Sequence, residues 1–116
     1  MKAARTFDAE LEGLTLHVRD VERSREFYGR IPGFKLAGHR PGQFALFRVG
    51  SGLLGLLQLP KPGFHVEIGV SDLDGMHQGL VAAGLEPKGP PADRPWGERT
   101  FNLVDPDGYA LEIQEG

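Results

Sequence analysis

The sequence predicts a single α+β domain over residues 1–116, made of two βαβββ units at about 12–60 and about 64–115. An internal repeat supports this class, since Val18-Arg-Asp20-Val21 is echoed 52 positions later by Val70-Ser-Asp72-Leu73. Polar and small residues alternate with apolar ones just before each copy, as in half-buried strands. The 17 glycines and 9 prolines divide the chain into short elements and disfavour a helical bundle.

Each unit is predicted to open with a strand followed by a helix. The opening strands are Leu14–Val18 and Val66–Val70, in which one parity is apolar. Asp20 and Asp72 follow at positions typical of a helix N-cap, and apolar residues then recur at helical spacing. The helices are expected to stop at Gly33 and Gly84.

Three short strands are predicted behind each helix. The candidates are Phe34–Ala37, Phe44–Val49, Leu53–Leu59, Leu85–Lys88, Arg99–Val104 and Tyr109–Gln114. Breaks are expected at His39–Gly42 and Gly89–Pro91, and Asp105–Gly108 is expected to form a turn. One helix covers one face of a four-stranded sheet, so the opposite, concave face is where a functional site is expected.

Composition and charge exclude several classes of function. The net charge of −3 offers no cationic field for nucleic acid or acidic membranes. The absence of cysteine excludes disulfides, thiolate metal sites and cysteine nucleophiles. No apolar run approaches a membrane span of about 20 residues, so a cytoplasmic protein is expected.

Strand parity predicts which side chains share the concave face. If the apolar parity packs on the helices, the opposite face carries Thr15, His17, His65, Glu67 and Glu112. A histidine and a carboxylate from different strands can each supply one ligand to a divalent cation at about 2.0–2.2 Å. The competing interpretation is that these groups are simply solvated.

The segment Pro95–Glu112, with its Asp105-Pro-Asp-Gly108 turn, and the repeated strand–Asp–helix pattern closely resemble the glyoxalase, bleomycin-resistance and extradiol-dioxygenase superfamily. The resemblance covers residues 12 to 115. It implies the vicinal-oxygen-chelate fold, in which two βαβββ units form a cup, and a homodimer. It also implies a site for one divalent metal ion, such as nickel, manganese, zinc or iron, although members that sequester antibiotics bind without one.

The resemblance implies specific metal ligands, of which this chain keeps two. His65, seven residues before Asp72, matches the second-unit histidine, and Glu112 matches the final glutamate. Gly13 occupies the first-unit histidine position. The late first-unit ligand falls at Leu56 or, with a two-residue register change, at Gln58, and of these two only Gln58 could coordinate. The resemblance therefore implies at best a three-ligand site of His65, Glu112 and Gln58, with water filling the remaining positions, and at worst a vestige. His17 lies roughly 13 Å along the strand from Gly13 and is too far away to substitute simply.

Binding by shape and stacking is the alternative to binding by metal. Trp96, in a loop rich in proline and glycine, is the candidate wall of a ligand cup, although it could equally cap the core. Phe101 and Arg99 could line the same cup, together with His17 and Thr15. Phenylalanine in strands is more often core, and arginine is more often in an exposed ion pair.

Three functions follow from these patterns. The favoured one is a small-molecule binding protein that sequesters an aromatic or antibiotic-like ligand in a dimeric cleft. The alternative is a metal-dependent lyase, isomerase or dioxygenase acting on a substrate with vicinal oxygens, with Glu67 as the proton-transfer group. A third is an accessory domain that makes only protein contacts. The sequence leaves open whether the chain is an enzyme.

Overall fold

Two successive βαβββ series make up the computed structural model, which describes residues 9–95 and 97–115. The first series is β1 Ala9–Val18, α1 Val21–Gly29, β2 Phe34–Arg40, β3 Phe44–Val49 and β4 Gly52–Gln58. The second is β5 Gly63–Val70, α2 Leu73–Ala82, β6 Lys88–Asp93, β7 Arg99–Val104 and β8 Ala110–Glu115. The predicted α+β class with repeated βαβββ units is confirmed.

The contacts divide the chain into two compact units. The first unit comprises Glu12–His65, and the second comprises the rest of the described chain. The division falls inside the continuous strand β5, between His65 and Val66. The place of His65 relative to the rest of β5 is therefore set by the strand itself.

In the first unit, α1 covers one face of strands in the order β2-β3-β4-β1. β1 runs parallel to β4, and the other neighbours are antiparallel. The carboxylate of Asp20 accepts hydrogen bonds from the backbone N–H groups of Glu22 and Arg23, which fixes the start of α1. The core is formed by Val21, Ala45, Phe47 and Leu56.

The second unit repeats this plan with strands in the order β5-β8-β7-β6. β5 runs parallel to β8, and the carboxylate of Asp72 accepts a hydrogen bond from the backbone N–H of Gly75 at the start of α2. The core is formed by Val70, Leu73, Phe101 and Ile113. The predicted aspartate caps thus begin both helices.

Strand β6 lies where the sequence predicts a break. A strand was expected at Leu85–Lys88 with an interruption at Gly89–Pro91, but the strand runs over Lys88–Asp93. β6 ends the strand order, and its pairing with β7 shifts register between Lys88 and Ala92. A proline lacks a backbone N–H, and an irregular edge strand tolerates that loss.

Two further boundaries differ from the prediction. β2 extends to Arg40, so the expected break at His39–Gly42 shrinks to a turn around Gly42, whose φ of 72° suits glycine. α1 ends at Gly29, before the predicted stop at Gly33. Neither helix of the described chain is long and apolar enough to cross a membrane.

Candidate metal centre

Strands β5 and β8 bring three potential ligands together, which we call the β5–β8 cluster: His65, Glu67 and Glu112. Glu67 and Glu112 are direct partners in the parallel pairing of the two strands. His65 precedes Glu67 by two residues and therefore points to the same side of β5. That side faces away from α2, since Val70 and Ile113, of the opposite parity, pack in the core beside α2.

The donor set and spacing of the β5–β8 cluster fit a divalent metal ion. One ligand atom from each of the three side chains lies within 4.8 Å of the others, and all three side chains are half-buried. Tetrahedral ligands about 2.1 Å from a transition-metal ion stand about 3.4 Å from one another. Small rotations of these side chains would therefore close the three donors around one ion.

His17, on β1, lies against His65. The Nε2 atom of His17 is 2.9 Å from the Nδ1 atom of His65, and the two ring centroids are 5.1 Å apart at an interplanar angle of 45°. Partial burial, and secondarily the neighbouring His65, hold the pKa of His17 below its ordinary value. The sequence placed both histidines on a common face but gave no sign of this contact, which depends on side-chain packing.

Gly13, where the resemblance implies a histidine, has no room for any side chain. A Cβ atom at this position would lie 1.9 Å from the carbonyl oxygen of Leu53. Leu53 is the partner of Gly13 in the parallel pairing of β1 with β4. The missing ligand thus reflects close backbone packing as well as a change of residue type.

Strand register identifies the first-unit counterparts of the whole β5–β8 cluster. Thr15 pairs with Gly55 as Glu67 pairs with Glu112, and the internal offset of 52 relates Thr15 to Glu67. By this register the first-unit counterpart of Glu112 is Gly55, whereas Leu56 and Gln58, the positions offered by the sequence, stay predictions. A Cβ at Gly55 would lie 2.6 Å from the Oγ1 atom of Thr15, so the Thr15 side chain occupies the space that a side chain at position 55 would need.

Gln58, predicted as a metal ligand, forms a hydrogen bond with the backbone at the start of α1. Its Oε1 atom accepts a hydrogen bond of 2.9 Å from the backbone N–H of Val21. Gln58 shares the strand parity of Leu56, which is buried beside Val21. The side chain thus lies on the helix side of the sheet, and its metal role stays a prediction that our proposal does not use.

The residues predicted to bind a ligand are described by their surroundings within each unit. Arg99 donates two hydrogen bonds of 2.9 and 3.2 Å to the carboxylate of Asp74 in α2. This pairing lowers the pKa of Asp74 and raises that of Arg99. Phe101 is wholly buried in the second core, and Thr15 is almost buried. Trp96 lies outside the described residues.

The sequence identifies the family to which this arrangement belongs. Residues 11–113 match the Glyoxalase/Bleomycin resistance protein/Dioxygenase superfamily. The chain belongs to this superfamily. The resemblance seen in the Asp105–Gly108 turn and in the strand–Asp–helix repeat is thereby confirmed. No curated protein matches the sequence significantly.

Solved structures share the superfamily fold at low sequence identity. The methylmalonyl-CoA epimerase from Mycobacterium tuberculosis is 21% identical with a TM-score of 0.80, over 99% of this chain and 92% of that one. A superfamily member from Vibrio splendidus 12B01 is 18% identical with a TM-score of 0.73, over 96% and 100% of the two chains. The Mn(II)-bound glyoxalase from Novosphingobium aromaticivorans is 19% identical with a TM-score of 0.71, over 91% of this chain and 38% of that one.

Proposed function

We propose that this chain binds one divalent metal ion through His65, Glu67 and Glu112 and acts on a small molecule with vicinal oxygens. The observation that carries the proposal is the third donor. Sequence reasoning found two matching ligands, His65 and Glu112, whereas Glu67 lies beside both in the β5–β8 cluster. Three protein ligands are the usual number at a catalytic zinc site, which keeps a further position open.

The chemistry of the donor set supports a transition-metal ion. One imidazole nitrogen and two carboxylate oxygens suit zinc, nickel, manganese or ferrous ions better than calcium, which prefers oxygen ligands alone. Two carboxylates also balance the charge of a divalent ion. When bound, such an ion would polarise the substrate oxygens as a Lewis acid. A structural neighbour described as a Mn(II)-bound glyoxalase is consistent with this use of the fold.

Glu67 has two possible roles within this proposal. As a ligand it holds the ion, and as the predicted proton-transfer group it would remove a proton from the substrate. Its direct pairing with Glu112 favours the ligand role. Glu67→Gln separates the two, because loss of metal binding indicates a ligand, whereas retained metal with lost turnover indicates a base.

A second candidate is the metal-free small-molecule binding protein. The closure of the first-unit positions favours it, since neither Gly13 nor Gly55 leaves space for a ligating side chain. We place it second because the β5–β8 cluster would then present two carboxylates and a histidine on one face without a shared function.

A homodimer and a cytoplasmic location, both implied earlier, complete the proposal. Sedimentation of the purified chain tests whether it is a homodimer. Fractionation of cells tests whether it is cytoplasmic.

Metal content tests the proposal directly. Untagged protein purified without chelator is subjected to elemental analysis and then titrated calorimetrically with nickel, manganese, zinc and ferrous ions. We expect one equivalent of metal in the wild type and none in His65→Ala. His77→Ala is the matched control, because His77 contacts the Gly89 carbonyl and the Phe101 ring on the α2 side. Equal or absent binding in wild type and His65→Ala would refute the proposal.

A further inference from the structure

We infer that His17 is a positioning residue for His65: it holds the imidazole so that Nε2, and not Nδ1, is presented to the metal ion. This inference rests on the proposed function and adds a residue to it. The contact that carries it is the 2.9 Å separation between His17 Nε2 and His65 Nδ1. Because that contact engages Nδ1 of His65, we assign Nε2 as the nitrogen that would bind the metal ion.

Proton counting sets the direction of this hydrogen bond. A neutral imidazole carries one proton and one lone pair on its two nitrogens. If His65 coordinates through Nε2, its proton must be on Nδ1, and Nδ1–H donates to Nε2 of His17. His17 must then carry its own proton on Nδ1. One arrangement of two protons thus satisfies both the contact and the metal site.

The place of His17 is built into the fold. Leu16 and Val18 pack towards the core beside α1, so His17 projects from the opposite side of β1. Its ring packs over Gly63, where a Cβ atom would lie only 3.2 Å from its Nδ1 atom. Glycine at position 63 therefore leaves room for the imidazole, and the half-buried ring is held beside His65.

If His17 orients His65 before the metal ion binds, the affinity for metal should fall when His17 is replaced. A partner that orients a metal-ligating histidine typically contributes about 10- to 100-fold in metal affinity. The residue acts through His65 and needs no contact with the ion. This separates it from a fourth ligand, whose replacement would also change the coordination of the bound ion.

Two replacements of His17 test the role. His17→Phe keeps a ring of similar size but cannot accept a hydrogen bond, whereas His17→Gln keeps an acceptor oxygen. We expect calorimetric affinity for manganese to fall about 10- to 100-fold in His17→Phe and to stay within about three-fold of wild type in His17→Gln. His77→Gln should bind as wild type does. Wild-type affinity in a folded His17→Phe, with binding still lost in His65→Ala, would overturn the inference and leave the proposed function intact.

Nitrogen-15 NMR of the wild-type protein provides a readout that does not depend on the variants' folding. In metal-free protein near pH 8 we expect His65 to carry its proton on Nδ1, and in the protein loaded with zinc to coordinate through Nε2. Coordination through Nδ1 of His65, or a metal-shifted nitrogen in His17, would overturn the positioning role. Failure of the wild type to bind any metal would instead refute the proposed function, and the inference with it.

Discussion

The two parallel strand pairs of this protein, β1–β4 and β5–β8, share one architecture and differ in what they carry on the face turned away from the helix of each unit. Gly13, Thr15 and Gly55 on the first pair correspond to His65, Glu67 and Glu112 on the second. In the first pair the backbone and Thr15 fill the space, whereas in the second pair three polar side chains converge. The comparison teaches that a repeated fold can keep its frame in both units while only the β5–β8 pair carries a cluster of potential metal ligands.

At positions 13 and 55 the β1–β4 pair leaves no room for a ligating side chain in its present packing, so a single substitution would not supply a ligand there. Restoring a histidine at position 13 would place its Cβ against the Leu53 carbonyl. Restoring a carboxylate at position 55 would require Thr15 to move first.

The largest expected effect is a loss of stability when a side chain is added to the β1–β4 pair. Gly13→Ala should lower the free energy of unfolding by about 3 kcal/mol, because the added methyl meets backbone that cannot rotate away. Gly63→Ala is the matched control, since its Cβ would meet only the His17 ring, 3.2 Å from Nδ1, and should cost about 1 kcal/mol or less. Urea denaturation measures both. Equal stability of Gly13→Ala and wild type would show that the β1–β4 pair has room for a side chain at position 13.

Metal binding should stabilise the protein through the β5–β8 cluster alone. Manganese at one hundred times its dissociation constant should raise the free energy of unfolding of the wild type by about 2.7 kcal/mol, by mass action on the folded state. Glu112→Gln should show no such increase. Thermal unfolding with and without manganese makes the comparison, and a similar stabilisation of both proteins would place the ion elsewhere.

A smaller effect distinguishes a structural glutamine from a ligand. Gln58→Ala removes the acceptor for the Val21 N–H at the start of α1 and should reduce the free energy of unfolding by about 1 kcal/mol. Its metal affinity should equal that of the wild type. A large drop in affinity with unchanged stability would restore Gln58 to the metal site and contradict its placement on the helix side.

The smallest effect is a pH dependence near α1. The Gly42 N–H, followed by His39, lowers the pKa of Glu22 from its ordinary value of 4.5. Because the folded-state pKa is the lower one, the unfolded chain binds more protons, and the contribution of Glu22 to stability is present above pH 4.5. It is lost as pH falls through the lowered pKa. Urea midpoints of Glu22→Gln should thus vary less between pH 5 and pH 3 than those of wild type, and an identical pH profile would contradict this.

Much of this architecture was accessible from the sequence because it depends on local patterns. The 52-residue repeat, the aspartate caps and the alternation before Asp20 and Asp72 predict two βαβββ units, and the Asp105–Gly108 turn leads to the superfamily. The same parity argument brought His65, Glu67 and Glu112 to one face. Two of these, His65 and Glu112, were assigned as ligands, and the structure pairs the third, Glu67, directly with Glu112.

What the sequence missed depends on register and packing. Counting along the chain offered Leu56 or Gln58 for the late first-unit position, whereas strand pairing makes Gly55 the counterpart of Glu112. Leu56 and Gln58 lie one and three residues from Gly55, and an odd offset reverses the face of a strand, so Gln58 lies on the helix side, where it contacts the start of α1. The hydrogen bond between His17 and His65 likewise depends on how two side chains meet across 48 positions of sequence.

The central claim is that the β5–β8 cluster alone supplies the metal ligands, and X-ray absorption spectroscopy tests it most directly. Protein loaded with one equivalent of zinc should show one imidazole nitrogen and two carboxylate oxygens at about 2.0–2.2 Å, with the remaining positions filled by water. His17→Gln should give the same spectrum. A spectrum with two imidazoles, or a shell of water alone, would contradict the account.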